Sequence, residues 1–422
     1  MEVMTKQHLK LQVWLLGFIS GFTLLINSNT LNFWLASEGI SKPNIGLFSI
    51  IFLPYSINFL WAPFLDSKKV IYLSSILGHR VSWLVIIQLL LAISVFTMGN
   101  LSPATELYKI SIVAFIISFF CSTQNVVLGA IRSSIVQSNE QGLFSGTYIF
   151  GYRVAMIISG SGAIYCSTVI SWKSIYHFFS LVIILFSILL VVFAKKFRCE
   201  ESNEFQIKPE QLQVYNSLTS LTSFLTEITK PIGSFRTVLV LLIFLIFCRI
   251  PDNCIWTMLN SFFFELGFST TEIAFAGKFL GTISAICGGL IASCIIHKIT
   301  ILNGLIYFGF LHAISHSCFI ILDIFGKNLS ILVIVNIFES LTGGMMMSCY
   351  IALISSLCKG YYRATQYSFL SSMMGISRIF PIISGYTIEI IGWRWFFVII
   401  TTNAMLAVLL AKFLAKILKT KV

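Results

Sequence analysis

Twelve long apolar runs follow one another along the chain with short polar breaks between them, at roughly 13–36, 44–64, 81–98, 107–130, 143–170, 175–194, 237–264, 272–296, 301–322, 329–357, 364–389 and 394–417. Each approaches or exceeds the roughly 20 residues that a helix needs to cross a bilayer. Hydrocarbon forces every backbone N–H and C=O to find its partner within the segment or a closed barrel, so runs of this length read as helices. With 57% of 422 residues hydrophobic and 10% charged, a soluble globular domain is excluded and no length remains for one. The expected fold is all-α and integral to the membrane, with 12 transmembrane helices. The first run follows a charged N-terminus, but it is long and lacks a small-residue cleavage site, so it reads as a retained helix and not a removed signal.

The net charge of +12 would suit a nucleic-acid binder were it clustered on one surface. It follows the spans instead. With the N-terminus inside, 19 Lys and Arg fall in inner segments, against five at outer ends: Lys42, Lys109, Lys173, Lys327 and Arg394. That bias is the positive-inside pattern and predicts cytoplasmic termini and no nucleic-acid partner. The ten cysteines form no CxxC pair, which argues against a disulfide framework or a zinc site.

One long polar stretch, 195–236, separates a six-span half (1–194) from a second (237–422). Within it Val214, Leu218, Leu221, Leu225 and Ile228 recur at helical spacing before Lys230-Pro231, so the stretch reads either as a solvated linker or as an amphipathic helix on the inner face. The halves echo each other. Arg153 and Arg378, 225 residues apart, are each followed at the same distance by Ile-Ile-Ser-Gly, and "GISKPNI" at 39–45 matches "GFSTTEI" at 267–273 with an offset of 228. Two matches at nearly one offset predict a duplicated, parallel six-helix unit, the organisation of a major facilitator fold.

Ionisable groups inside a bilayer cost at least about 2.5–3.5 kcal/mol each on insertion scales and so demand a partner, a wet cavity or a function. Several lie well inside spans, among them Arg153, Arg249, Asp252, Lys278, Glu339 and Arg378. Arg249 and Asp252 are three apart and share a helix face, and Pro251 between them removes a backbone hydrogen bond and invites a kink. Such a pair fits either a water-filled transport site or an ion pair that only orients helices. Arg153 and Arg378 fit either an anion such as a carboxylate or phosphate, or a salt bridge holding one conformation. Glu339 has no cation within a turn of its own span, which makes it the expected proton carrier, with Arg249 and Asp252 as gate or substrate-positioning pair and Lys278 close to them.

His312 and His316, four apart in "HAISH", could in principle hold a metal; without an intervening acid they form no metalloprotease box, and ordinary core histidines are the expectation. Small residues in "SGSGA" (159–163), "CGG" (287–289) and "TGG" (342–344) predict close helix packing. Neither Gly-Lys pair continues into a Walker pattern, so any uphill work must be ion-coupled. No cofactor, metal or catalytic residue is expected.

The stretches "FLWAPFLD" (59–66), "STQ" (122–124), "GYRVAMIISG" (151–160), "ESLTGG" (339–344) and "ATQYSFLSSM" (364–373) resemble, in colinear order, the AmpG-type muropeptide permeases of the major facilitator superfamily. The resemblance implies a monomeric inner-membrane permease that imports anionic anhydromuropeptides with protons. It also marks Gln124 and Asn125, beside Arg153 and Arg378, as substrate-binding candidates, with Glu339, Asp252, Arg249 and Lys278 for coupling and gating. The family pattern Asp-Ile-Ala-x-Asp-Ala after Ser-Thr-Gln is replaced by Asn125-Val-Val-Leu-Gly129-Ala, so two intramembrane carboxylates are missing. A carrier for another anionic metabolite or an acyl-CoA is therefore the alternative, and a membrane-embedded enzyme or sensor the competitor from another class. The outer loops are only a few residues long and the unusual polar groups lie within spans, which favours transport over an enzyme.

Overall fold

The computed structural model describes residues 2–135, 141–204, 235–357 and 363–419, and these contain helices and turns with no strand. Ten stretches are helical, long and apolar enough to cross a membrane. The longest, Phe369–Ile417, contains two spans, because Gly392 at φ 77° breaks the helix. The second span is not among the ten: it is cut into Lys42–Leu47, a 3-10 turn Phe48–Phe52, Leu53–Ile57, a second 3-10 turn Asn58–Leu60, and Ala62–Ser67. Its prolines 43, 54 and 63 explain the interruptions, since each removes an N–H and crowds the preceding turn. With these two adjustments the twelve expected spans are all present. The expected amphipathic helix over 214–228 lies outside the described residues, and the sixth-span helix runs to Glu204.

The chain forms two compact units, Met1–Trp34 with Ile57–Ser217, and Leu35–Ser56 with Leu218–Val422. The first is cored by aromatics of the first and sixth spans: Phe18 and Phe22 meet Phe186 edge-on at 5.2 and 5.9 Å, and Trp34 lies 5.1 Å from Tyr176. The second has a core running through Leu241, Phe244, Leu305, Cys349, Tyr350, Leu370 and Leu414. Residues 35–56 belong to the first half in sequence but group with the second unit, where Lys42 pairs with Glu265 at 2.7 Å and sits over the Trp393 ring. Between the eighth and tenth spans the glycines predicted from "CGG" and "TGG" permit backbone contact. A Cβ on Gly288 would fall 1.9 Å from the Leu341 carbonyl oxygen, and one on Gly344 2.1 Å from that of Ala285. Outward-facing side chains such as Leu181, Val192 and Ile334 stay exposed, as a lipid-facing surface requires.

The internal echo is visible in the backbone. Gly39 and Gly267 both adopt positive φ, 74° and 83°. In the first copy Gly39 N–H donates to the Ala36 carbonyl and Ile40 N–H to Leu35; in the second, Gly267 donates to Phe264 and Phe268 to Phe263, with all four distances between 3.0 and 3.1 Å. This is the same helix-ending Schellman turn twice. Ser41 and Ser269 then cap the following helices, the latter in a full capping box with Glu272.

Four of the five cations assigned to outer ends are paired with carboxylates: Lys42 with Glu265, Lys109 with Glu106 at 2.7 Å, Lys327 with Glu272 at 3.5 Å, and Arg394 with Asp323 at 3.3 Å. Their charge is locally neutralised.

Candidate functional site

The seventh span breaks where the sequence places its charges. Its first helix ends at Phe247, Arg249 caps a second helix that begins at Ile250, and Pro251 occupies the first turn, where a missing N–H costs nothing. Asp252 follows in that same turn, where the positive end of the helix dipole favours a carboxylate. Arg249 donates to Asp252 Oδ2, confirming that the pair shares one face.

Asp252 also reaches the ninth span. Its Oδ1 lies 2.7 Å from His312 Nε2 and 3.4 Å from His316 Nε2. The two imidazole rings are 4.3 Å apart, and the ligand-capable atoms of the three residues all lie within 4.8 Å of one another. His312 Nδ1 meets Thr342 Oγ1 of the tenth span at 2.9 Å, and Ser315 completes the cluster 3.1 Å from that hydroxyl. Asn253 donates to Ser377 Oγ of the eleventh span at 2.7 Å. One polar network thus joins the seventh, ninth, tenth and eleventh spans of the second unit. A small cavity, about 20 Å³, adjoins it, bordered by Asp252, His312 and His316 and otherwise by side chains such as Phe244, Met346 and Val408.

Glu339 lies on the tenth span, 2% exposed. Trp256 Nε1 donates to its Oε1 at 3.2 Å and Ser340 Oγ to its Oε2 at 3.1 Å. Lys278 sits in a π-helical segment, Ile273–Phe279. A π turn disturbs the regular carbonyl ladder, and Asn336 donates to the Ala276 and Gly277 carbonyls at 2.8 and 3.1 Å. Arg378 lies over the Tyr55 and Phe52 rings, 4.9 and 5.9 Å from their centroids.

The remaining candidates lie in the first unit. Arg153 is half-buried, with Nη1 3.9 Å from Met156 Sδ just before a π turn over Ile157–Gly162. Gln124 is fully buried and donates to Thr23 Oγ1 at 3.0 Å, which ties the fourth span to the first. Asn125, half-buried, accepts from Ser20 Oγ at 2.9 Å. Gly129, one turn on, is exposed, and a Cβ there would meet nothing within 4 Å, so the face of the missing carboxylates is open at that end.

Sequence reasoning placed the charges but missed their company. The spacing of His312 and His316 was visible; that both rings turn toward Asp252, 60 residues away, was not. Trp256 and Asn336 carried no signal, since an indole or an amide in an apolar run is ordinary until its partner is known.

The comparisons agree with this architecture. A family model for the Major Facilitator Superfamily matches residues 13–377 and 297–421. A Rickettsia bellii protein named "Putative transporter AmpG 1" is 47% identical over 404 residues, 95% of this chain and 97% of that protein. The Escherichia coli anhydromuropeptide permease is 27% identical over 390 residues, 91% of this chain and 75% of that protein. Among solved structures, the nucleoside transporter NupG superposes with a TM-score of 0.70 at 15% identity, covering 97% of this chain and 99% of its own. A D-xylose-proton symporter gives 0.69 at 14%, covering 95% and 96%. At that identity the two structures speak for the fold alone.

Proposed function

Because the chain belongs to the Major Facilitator Superfamily and, within it, to the AmpG group of transporters, we propose that it is a secondary active permease importing anionic peptidoglycan fragments, anhydromuropeptides, across a bacterial inner membrane with protons as coupling ion. The observation that carries this reading is colinear similarity to the anhydromuropeptide permease over 91% of the chain. The buried ionic network of the second unit supports it, since such groups inside a membrane mark substrate and proton pathways. In this reading Arg153, Arg378, Gln124 and Asn125 serve the substrate. Arg249 and Asp252 act as gate or positioning pair, Glu339 takes and releases the proton, and Lys278 belongs to the same coupling set. The permease works as a monomer of two six-span halves, 1–194 and 237–422, joined through 195–236, with both termini cytoplasmic.

Asn125 and Gly129, where related permeases resemble one another in carrying carboxylates, favour a second reading: a carrier of the same fold for another anionic metabolite or an acyl-CoA. An enzyme is set aside by the family match. Uptake of labelled anhydromuropeptide into cells lacking their own permease separates the readings. Accumulation only when this protein is expressed supports the first. Uptake equal to that of empty cells, with membrane expression verified, rejects it.

A further inference from the structure

We propose that Asp252, His312 and His316 form a binding site for one divalent transition-metal ion of the zinc class. The inference is independent of the cargo. Two imidazoles four residues apart on one helix face, joined by a carboxylate from another span, are the donor set that borderline ions such as Zn²⁺ and Co²⁺ select. A tetrahedral ion with bonds of about 2.0–2.1 Å holds neighbouring ligand atoms about 3.4 Å apart. His316 Nε2 and Asp252 Oδ1 already stand at 3.4 Å. His312 Nε2, at 2.7 Å, is drawn in by a hydrogen bond to the same oxygen. It would have to move out from that oxygen by about 0.7 Å and close toward His316 within the 4.8 Å that now spans the ligand atoms, shifts within reach of side-chain torsions, and give up that bond's proton as the metal bonds form.

A second observation points to a ligand. His316 is 0% exposed, yet its Nδ1 has no hydrogen-bond partner and its Nε2 has only the long 3.4 Å approach to Asp252 Oδ1. A buried polar group without a full complement of hydrogen bonds is costly, and a metal bond at Nε2 would relieve that cost. The surroundings are those of a built site. His312 Nδ1 is held by Thr342, and the second oxygen of Asp252 by Arg249, so imidazole and carboxylate are both oriented from behind. The adjoining cavity, about 20 Å³, has room for about one water, the fourth ligand that three protein donors leave open. Arg249, ion-paired with Asp252, opposes a dication. The rival occupant is the proton, shared among the same three groups with no metal.

The test uses the full chain, purified in detergent without a histidine tag and treated with chelator. Titration with Co²⁺ should give the intense visible bands of tetrahedral coordination at one ion per chain, bleached by added Zn²⁺. His316→Gln should weaken binding at least about tenfold, and Thr342→Val, which removes the support behind His312, by about 10–100-fold. X-ray absorption on zinc-loaded wild-type protein should show imidazole in the first shell, a readout that does not require any variant to fold. Folded wild-type protein with no cobalt spectrum overturns the proposal and leaves a proton-sharing network. Cobalt affinity unchanged from wild type in both His312→Gln and His316→Gln, or a zinc shell without imidazole, overturns it as well.

Discussion

Asp252 is expected to behave as half of an inseparable pair, and the consequence can be measured. In Asp252→Asn the amide oxygen can still face His312 Nε2, which it now serves at 2.7 Å, but the NH2 group would then face the Arg249 guanidinium, donor against donor. Asp252 is 6% exposed, and the Arg249 side chain 23%, so little water can replace the lost charge. Removing one partner of a buried ion pair costs about 3–5 kcal/mol, because the other charge is left uncompensated. Arg249→Gln should cost less, about 1–3 kcal/mol, since Asp252 keeps its imidazole contacts. The double variant Arg249→Gln/Asp252→Asn removes both charges and should recover about 2 kcal/mol relative to the sum of the single costs, within the range seen for groups in contact. Unfolding of the purified protein in detergent, followed by near-ultraviolet circular dichroism against denaturant, gives all three values. If the double variant costs the sum of the singles to within about 0.5 kcal/mol, the two charges do not depend on each other and the network described above is wrong.

Glu339→Gln should abolish accumulation against a gradient while leaving downhill exchange, as Trp256 can still donate to the amide oxygen; proton-dependent accumulation in that variant would remove Glu339 from coupling. Arg153→Gln and Arg378→Gln should each weaken substrate binding, and Lys less than Gln at Arg378, because an ammonium keeps the cation–π contact with Tyr55; binding unchanged in both Gln variants makes the arginines structural. Asn336→Leu should destabilise by about 1–3 kcal/mol by stranding the Ala276 and Gly277 carbonyls, and hydrogen exchange around 273–279 should rise first; uniform exchange would show that the π segment needs no such support. Reporter fusions near 205 and 420 should read as cytoplasmic and one near 326 as exported, with export at 205 reversing the orientation.

Spans were legible because hydrocarbon leaves a long apolar run no other structure. Breaks were legible where a residue enforces them chemically, as at Pro251, or at Gly39 and Gly267, whose repeated surroundings gave away the duplication. The pairing of Arg249 with Asp252 followed from a spacing of three. What could not be read was azimuth and partner across spans. Whether a histidine on the ninth span turns toward an aspartate on the seventh depends on how two helices rotate against each other, and no local pattern records that. The same reason hid the contact of Gln124, a fully buried tie to Thr23 where the sequence reading assigned it to substrate.

The helix is wound differently around the two copies of Ile-Ile-Ser-Gly, looser than an α-helix in one and tighter in the other, both right-handed. In the fifth span the motif opens a π turn, Ile157–Gly162; in the eleventh it ends a 3-10 stretch, Ser377–Ile383, that contains Pro381. A 3-10 helix advances about 120° per residue where an α-helix advances about 100°, so over those seven residues the eleventh span gains a phase of roughly 140°, whereas a π turn loses phase. Residues beyond the motif that match by sequence offset therefore point in different directions around their helix axes. The two copies are related as screws of unequal pitch, so a cysteine-accessibility scan should follow the same periodicity in both spans up to Tyr152 and Ser377 and fall out of step from there on.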